Sequence, residues 1–402
     1  MFLKINKSVH FFFIVCFFAM IVPYAFNLGS GNTFVLDYYA KRIMTLLSFP
    51  FFILILYNVL NRDKTKINAK VILYLFFYII VLLLSFIKGN RIVLIITDAF
   101  IALLPVFFYL LLFNTGATTD GYTKNFKIYL IISTVLVLLS VKLQFSYFTL
   151  IAIVYILFFL KWKLNNILLY MLLPIITYKS LIGKSSFLML FFIFGYILIF
   201  DSNILSKNKK MYFLTIPSLL IATLAIIFWE QIQETGAFRN FVYFLKNANF
   251  SKLTFKDLST GQRLYEAQIV LENFNNNNFV YKLIGNGFGS TIDLSRTLDN
   301  AVLSSNANVN EVRNIHIGFF AVLSRYGIIG VLIYLSFIIR MIQICFKTLR
   351  KKSHYSITLG CFYILVIIFD SFISFSHMMS NFLFWFTCAI ILYENKKQNN
   401  QQ

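Results

Sequence analysis

Charge is what this 402-residue chain has least of: Asp, Glu, Lys and Arg together make up only 13% of it. Soluble domains carry about a quarter, so a water-facing surface wrapped around a single core is excluded. Acids are scarcer than bases, 15 against 36, which gives a formal net charge of +21. The four cysteines (Cys16, Cys345, Cys361 and Cys388) all fall within apolar runs and show no paired spacing. That excludes a disulfide framework or a cysteine metal site, and they read as small buried hydrophobes. The four histidines (His10, His316, His354 and His377) are scattered, so no ligand cluster stands out, and neither a metal nor a cofactor is implied. There is no internal repeat. Low complexity is confined to the asparagines of residues 275–278 and the polar tail 395–402.

What the chain does have is apolar sequence, 59% by residue count and 19% aromatic. Runs of about 15 to 20 apolar residues match a hydrocarbon core of ~30 Å. The expected fold is therefore an all-α polytopic membrane protein. Twelve spans are predicted, at 9–27, 42–60, 71–87, 92–113, 127–141, 144–160, 166–181, 186–200, 211–229, 316–339, 356–373 and 378–393. Residues 129–160 and 167–200 are read as hairpins. As single helices they would be ~48 Å or longer. Lys142 in the first, and Lys179 and Lys184 in the second, reach the interface only at a hairpin turn. Lys4, Lys7 and the apolar run behind them resemble a signal peptide, but they lack a small-residue cleavage site and are followed at once by another span.

Between the ninth and tenth spans lies the one long polar stretch, so the chain divides into residues 1–229, the insert 230–315 and residues 316–402. Residues 230–316 hold eight basic and eight acidic side chains and are neutral overall. The positive surplus thus belongs to the short loops. That is a membrane-topology signature, not a phosphate-binding surface, and nucleic-acid partners are excluded. Placing the termini in the cytoplasm puts 20 basic residues in cytoplasmic segments against 7 in the opposite short loops. The insert then faces the outside, the periplasmic or extracellular side of the membrane.

The insert carries three clusters. In Ser259-Thr260-Gly261-Gln262-Arg263, a serine with glutamine three residues on is a capping-box pattern, and an amphipathic run through Leu264, Ala267, Ile269 and Leu271 follows. Arg263 is then expected in a first helical turn, where it and the free backbone N–H groups suit a phosphate or diphosphate. The alternative is a structural pair with Glu266 or another loop acid. Gly285-Asn286-Gly287-Phe288-Gly289 has no plausible helix behind it and reads as a tight turn with φ > 0 close to other backbone, not a nucleotide loop. His316 stands where the insert becomes helix, at the outer interface. An imidazole there can accept a proton from an attacking hydroxyl, or merely hydrogen-bond a loop. Arg325, nine residues on, is expected to face away from His316 and ~13 Å deeper. Asp98, Lys179, Lys184, Asp370 and His377 are further polar groups within or at the ends of apolar spans. Lys179, Lys184 and His377 map to outer ends.

The order of these pieces resembles the bacterial O-antigen polymerase and O-antigen ligase superfamily. It runs Gly183-Lys184-Ser185-Ser186 at an outer hairpin, the Arg263 cluster, the Gly285–Gly289 turn, His316, then Arg325-Tyr326-Gly327-Ile328-Ile329-Gly330. The motifs cover about residues 180–335, and the layout of twelve spans with one large outer loop extends the likeness over the chain. The resemblance implies a metal-independent, inverting glycosyltransferase that uses a polyprenyl-diphosphate-linked oligosaccharide in the membrane lipid. It implies Arg263 as the diphosphate arginine and His316 as the acceptor-side histidine. Lys184 stands where the family often has arginine, which keeps the charge but loses the bidentate fork; Lys179 is a further cation for the diphosphate. His377 and Arg325 are additional candidates. A chain-length regulator and a flippase of the same pathway are the implied partners. Ile317 follows the histidine where ligases commonly show asparagine, which favours a polymerase over a ligase. A flippase-like transporter is the reading from another class; the single large loop argues against the repeat symmetry that transporters usually show.

Overall fold

The computed structural model describes residues 69–115, 258–293, 311–312, 315–350, 355–372, 378 and 382–400. Five of the twelve expected spans fall on these residues, and each is a helix; the other seven lie outside them. The helices are α1 (Ala69–Ile87), α2 (Ile92–Thr115), α3 (Leu258–Asn276), α4 (Phe279–Ile284), α5 (Gly318–Arg350), α6 (Tyr355–Ser371) and α7 (Phe382–Asn400). The one strand pairing among the described residues is antiparallel and two residues long. It joins β1 (Ile292–Asp293) to β2 (Glu311–Val312), with Ile292 opposite Val312. Among the described residues, two helices are long and apolar enough to cross a membrane, Ile92–Leu110 in α2 and Gly318–Leu349 in α5.

Two helix ends differ from the sequence expectation. α5 continues to Arg350 through residues expected in a loop after 339, and α7 runs through most of the polar tail to Asn400. Hydropathy marks where apolar burial stops, not where a helix stops. Arg340, Lys347, Lys396 and Gln398 are good helix formers, and no Gly or Pro interrupts either stretch. Phe382 is the first residue of α7 as described, and residues 379–381 of the expected span lie outside the described residues.

α5, α6 and α7 pack on one another, α2 lies along α7, and α1 lies along α2. Phe108, Leu104 and Ile95 of α2, Met341 of α5 and Phe384 of α7 are fully buried. Phe108 and Phe386 meet edge to face at 5.7 Å, and Phe337 lies against Trp385 at 5.3 Å, within the favourable range for aromatic pairs. Cys345, Cys361 and Cys388 are buried and not disulfide-bonded, as small apolar fillers. Tyr74 Oη donates to Ala102 O at 2.6 Å and ties α1 to α2 near Pro105.

α5 is broken at Gly327, where φ is 62° and ψ −160°, a conformation essentially reserved to glycine. The break leaves the last carbonyls of its first segment needing donors. Asn286 N and Gly287 N supply them, donating to Ser324 O at 2.9 Å and Arg325 O at 3.0 Å. The two chains meet backbone to backbone: a Cβ on Gly285 would collide with the carbonyl of Arg325, and one on Gly327 with Leu283 O. The expected left-handed turn is thus observed, with its reason. It caps a broken helix.

Candidate functional site

The segment after α4 enters between the ends of α1, α2 and α5, where backbone polar groups require partners. Phe288 N donates to Ser85 Oγ at 2.6 Å, and Gly289 N to Asp98 Oδ2 at 2.8 Å. Asn90 Nδ2 donates to both Asn286 O (3.0 Å) and Phe288 O (2.8 Å). Lys88 Nζ lies 3.6 Å from the centre of the Tyr281 ring. The turn between α1 and α2 and this part of the insert therefore lie on the same side of the helices.

Arg325 is buried, its Nε 3.8 Å from Asp98 Oδ2, itself only 3% exposed. That contact ties α5 to α2 beside the glycine turn; His316 precedes α5, which begins at Gly318, so the helical rotation expected between the two residues does not apply. Asp98, expected as an embedded polar group, is the point where the two interactions converge.

α3 is described from Leu258, so Ser259 and Gln262 lie within the helix and Arg263 is its sixth residue. That corrects the first-turn placement: Leu258 is already helical, and Arg263 sits in the second turn, away from the first free N–H groups. Three residues on, Glu266 is completely buried. It does not serve as the partner of Arg263 alone. Its carboxylate accepts from the His316 backbone N–H (Oε2, 2.9 Å) and lies 3.0 and 2.9 Å from His316 Nδ1 through Oε1 and Oε2. Ala267, Ile269 and Val270 bury the same stretch of α3 against the helices, whereas Leu271, expected on the apolar face, is exposed. The His316 side chain is 36% exposed. Residues three apart on a helix are neighbours about 5–6 Å apart at Cβ, so half-buried Arg263 stands beside the carboxylate that holds His316. The structure thus brings α3 against His316 through Glu266, with Arg263 three residues earlier on the same helix. Lys179, Lys184 and His377 lie outside the described residues.

Below, a cavity of about 200 Å³ opens between α1, α2, α5 and α7. Tyr78, Phe288, Tyr326, Tyr334 and Trp385 line it, with Val322 one turn below the head of α5. The Tyr74 and Tyr334 hydroxyls are engaged by Ala102 O and Ser371 Oγ (2.9 Å).

Sequence reasoning missed Ser85, Asn90 and the role of Glu266. For Glu266 there was a signal: a lone acid between apolar residues on the buried face of an amphipathic helix needs a partner. Comparison with known proteins finds no family model that matches the chain and no curated protein that matches it.

Proposed function

We propose that this protein is a membrane-embedded, inverting glycosyltransferase that polymerises oligosaccharide repeat units carried on a polyprenyl diphosphate, for an O-antigen, capsule or exopolysaccharide. The observation that supports the reading is the joining of the insert helix, through Glu266, to His316 at the head of α5, together with an aromatic, apolar cavity that Val322 and Tyr326 of the same helix help to line; Arg263 is taken as the cation, three residues before Glu266 on the insert helix. A soluble sugar nucleotide has no use for such a cavity. A lipid-linked donor needs both a cation for its diphosphate and apolar walls for its hydrocarbon.

In the proposed step the hydroxyl oxygen of the acceptor repeat unit attacks C1 of the donor sugar. The C1–O bond to the diphosphate breaks, and its electron pair leaves with the lipid diphosphate. The hydroxyl proton passes to Nε2 of His316. Charge growing on the leaving group is stabilised by the fixed guanidinium of Arg263, and the positioned base contributes typically 10²–10⁴-fold. In this reading all twelve spans cross the bacterial cytoplasmic membrane, and the insert faces outward, where flipped donors reside. The glycine turn is then irregular backbone at membrane depth, which is tolerated where protein buries it.

A second reading draws on the same turn. A helix broken at Gly327 beside a re-entrant loop is a device of transporters, and it favours a flippase of lipid-linked sugars. Deleting the gene and separating the cell's surface glycans on a gel distinguishes the readings. Loss of the ladder, with glycan capped by a single repeat unit, is the expected polymerase result. Bare lipid A core with polymer stranded on the carrier indicates a ligase instead. An unchanged ladder overturns glycan polymerisation and ligation together, and short units accumulating inside the cell favour the flippase.

A further inference from the structure

We propose that Glu266 is a positioning residue that fixes the tautomer of His316, placing the ring hydrogen on Nδ1 and presenting Nε2 as the proton acceptor. The inference rests on the reading of His316 as general base and adds the group that prepares it.

The geometry leaves the carboxylate little freedom. Glu266 is fully buried, and both its oxygens lie within 3.0 Å of Nδ1. Oε2 is also 2.9 Å from the His316 backbone nitrogen, which can only donate. An ionised carboxylate accepts and never donates, so the hydrogen between it and the ring belongs to Nδ1. The neutral imidazole then carries its lone pair on Nε2, at the opposite edge of a ring that is 36% exposed. The backbone contact matters as much as the ring contact, because it pins the carboxylate to the residue it orients. A carboxylate that holds a histidine by Nδ1 is the general arrangement by which a base is set in the useful tautomer.

Replacing the carboxylate by its isosteric amide makes the inference sharp. In Glu266→Gln the single carbonyl oxygen is needed by the His316 backbone N–H. That sets the NH₂ group where Oε1 now lies, 3.0 Å from Nδ1, a donor facing the ring that favours an accepting Nδ1 and shifts the ring hydrogen to Nε2. The base is lost although shape and volume are retained.

The test uses the full-length protein in phospholipid nanodiscs with ¹⁵N-labelled histidine. There are only four histidines, so the His316 ring signals are assigned by subtracting the spectrum of His316→Gln. The expected wild-type pattern, under conditions where the ring is neutral, is a protonated Nδ1 and an unprotonated Nε2. The reverse pattern overturns the proposal, and this holds even if no Glu266 variant folds. In Glu266→Gln the pattern is expected to invert, and transfer of lipid-linked repeat units in isolated membranes to fall by about 10²–10⁴-fold at an unchanged level of protein. An uninverted ring in that variant also overturns the role of Glu266. An inverted ring with undiminished transfer upholds the tautomer assignment but removes His316 as the base, so the two claims fail separately.

Discussion

Asp98 of α2 and Arg325 of α5 form a buried ion pair, Oδ2 to Nε 3.8 Å, and the same Asp98 oxygen accepts the backbone N–H of Gly289. One carboxylate thus joins two long apolar helices to the glycine turn of the insert. Removing one partner of such a pair leaves the other charge buried, at a cost of about 3–5 kcal/mol. Asp98→Ala and Arg325→Ala are expected each to lower the thermal unfolding midpoint of the purified protein and its level in membranes. The double change Asp98→Leu/Arg325→Met should recover part of that loss, since no isolated charge remains. A double variant as unstable as the sum of the two single ones would show that the pair is not coupled.

Gly285 and Gly327 press against each other's backbone, with φ of 85° and 62°. Alanine at either position meets both a collision and a backbone region that costs a side-chain-bearing residue about 1–3 kcal/mol. Gly327→Ala is expected to destabilise the protein by at least that amount in thermal unfolding. Gly89→Ala is the control: its φ of 70° is left-handed too, but nothing lies within 4 Å of the added carbon, so only the backbone cost applies and the loss should be smaller.

How much of this was written in the sequence depends on how far apart the partners are. The five helices on described residues were legible because a helix satisfies its own backbone and needs only a sufficiently long apolar run. The turn at Gly285–Gly289 was legible because glycine spaced in this way signals positive φ whatever surrounds it. The site was legible only as residue types. Glu266 and His316 are 50 residues apart in sequence, Asp98 and Gly289 191, and Ser85 and Phe288 203. No periodicity reports a pairing over such distances. Glu266 was weighed only as a partner for Arg263, its neighbour at helical spacing, because a sequence offers local partners first. The start of α3 was misjudged for a related reason, since a capping pattern of Ser and Gln tolerates a position inside the first turn as well as before it.

The contact of Lys88 with Tyr281, and of Asn90 with the glycine turn, puts the α1–α2 turn and the insert on one side. In the proposed topology, which rests on the charge asymmetry, that side is the outside. Single cysteines at Asn273 and Lys88, in a background lacking the four native cysteines, are expected to react with a membrane-impermeant maleimide in intact cells or spheroplasts. A cysteine at Lys347, near the other end of α5, should react only after the cells are opened. Labelling in the opposite sense would place the site on the cytoplasmic face and remove the basis for an externally acting polymerase.

Arg263 and His316 have different duties in the proposed step, so their variants should differ in more than degree. His316→Ala is expected to stop chain extension by removing the base, with the protein present at its normal level by immunoblot. Arg263→Ala is expected to do so by removing the cation at the leaving group. Arg263→Lys keeps the charge but not the planar fork, and should retain an intermediate, shortened ladder. Full-length polymer in both alanine variants would rule out this site.

The cavity offers the strictest check on the nature of the donor, because its walls are mainly apolar and aromatic. Ala102 lines it and is buried at 4% exposure. Ala102→Phe is expected to fill part of the roughly 200 Å³ space, at an overpacking cost of about 1–3 kcal/mol. Because the hydrocarbon and not the glycan is excluded, the loss should depend on the lipid. Transfer from a long polyprenyl-diphosphate donor should fall markedly, whereas transfer from a synthetic donor with a short alkyl chain should change little. An equal loss with both donors would mean that the substitution disturbs the site through packing alone, and that the cavity does not hold the carrier.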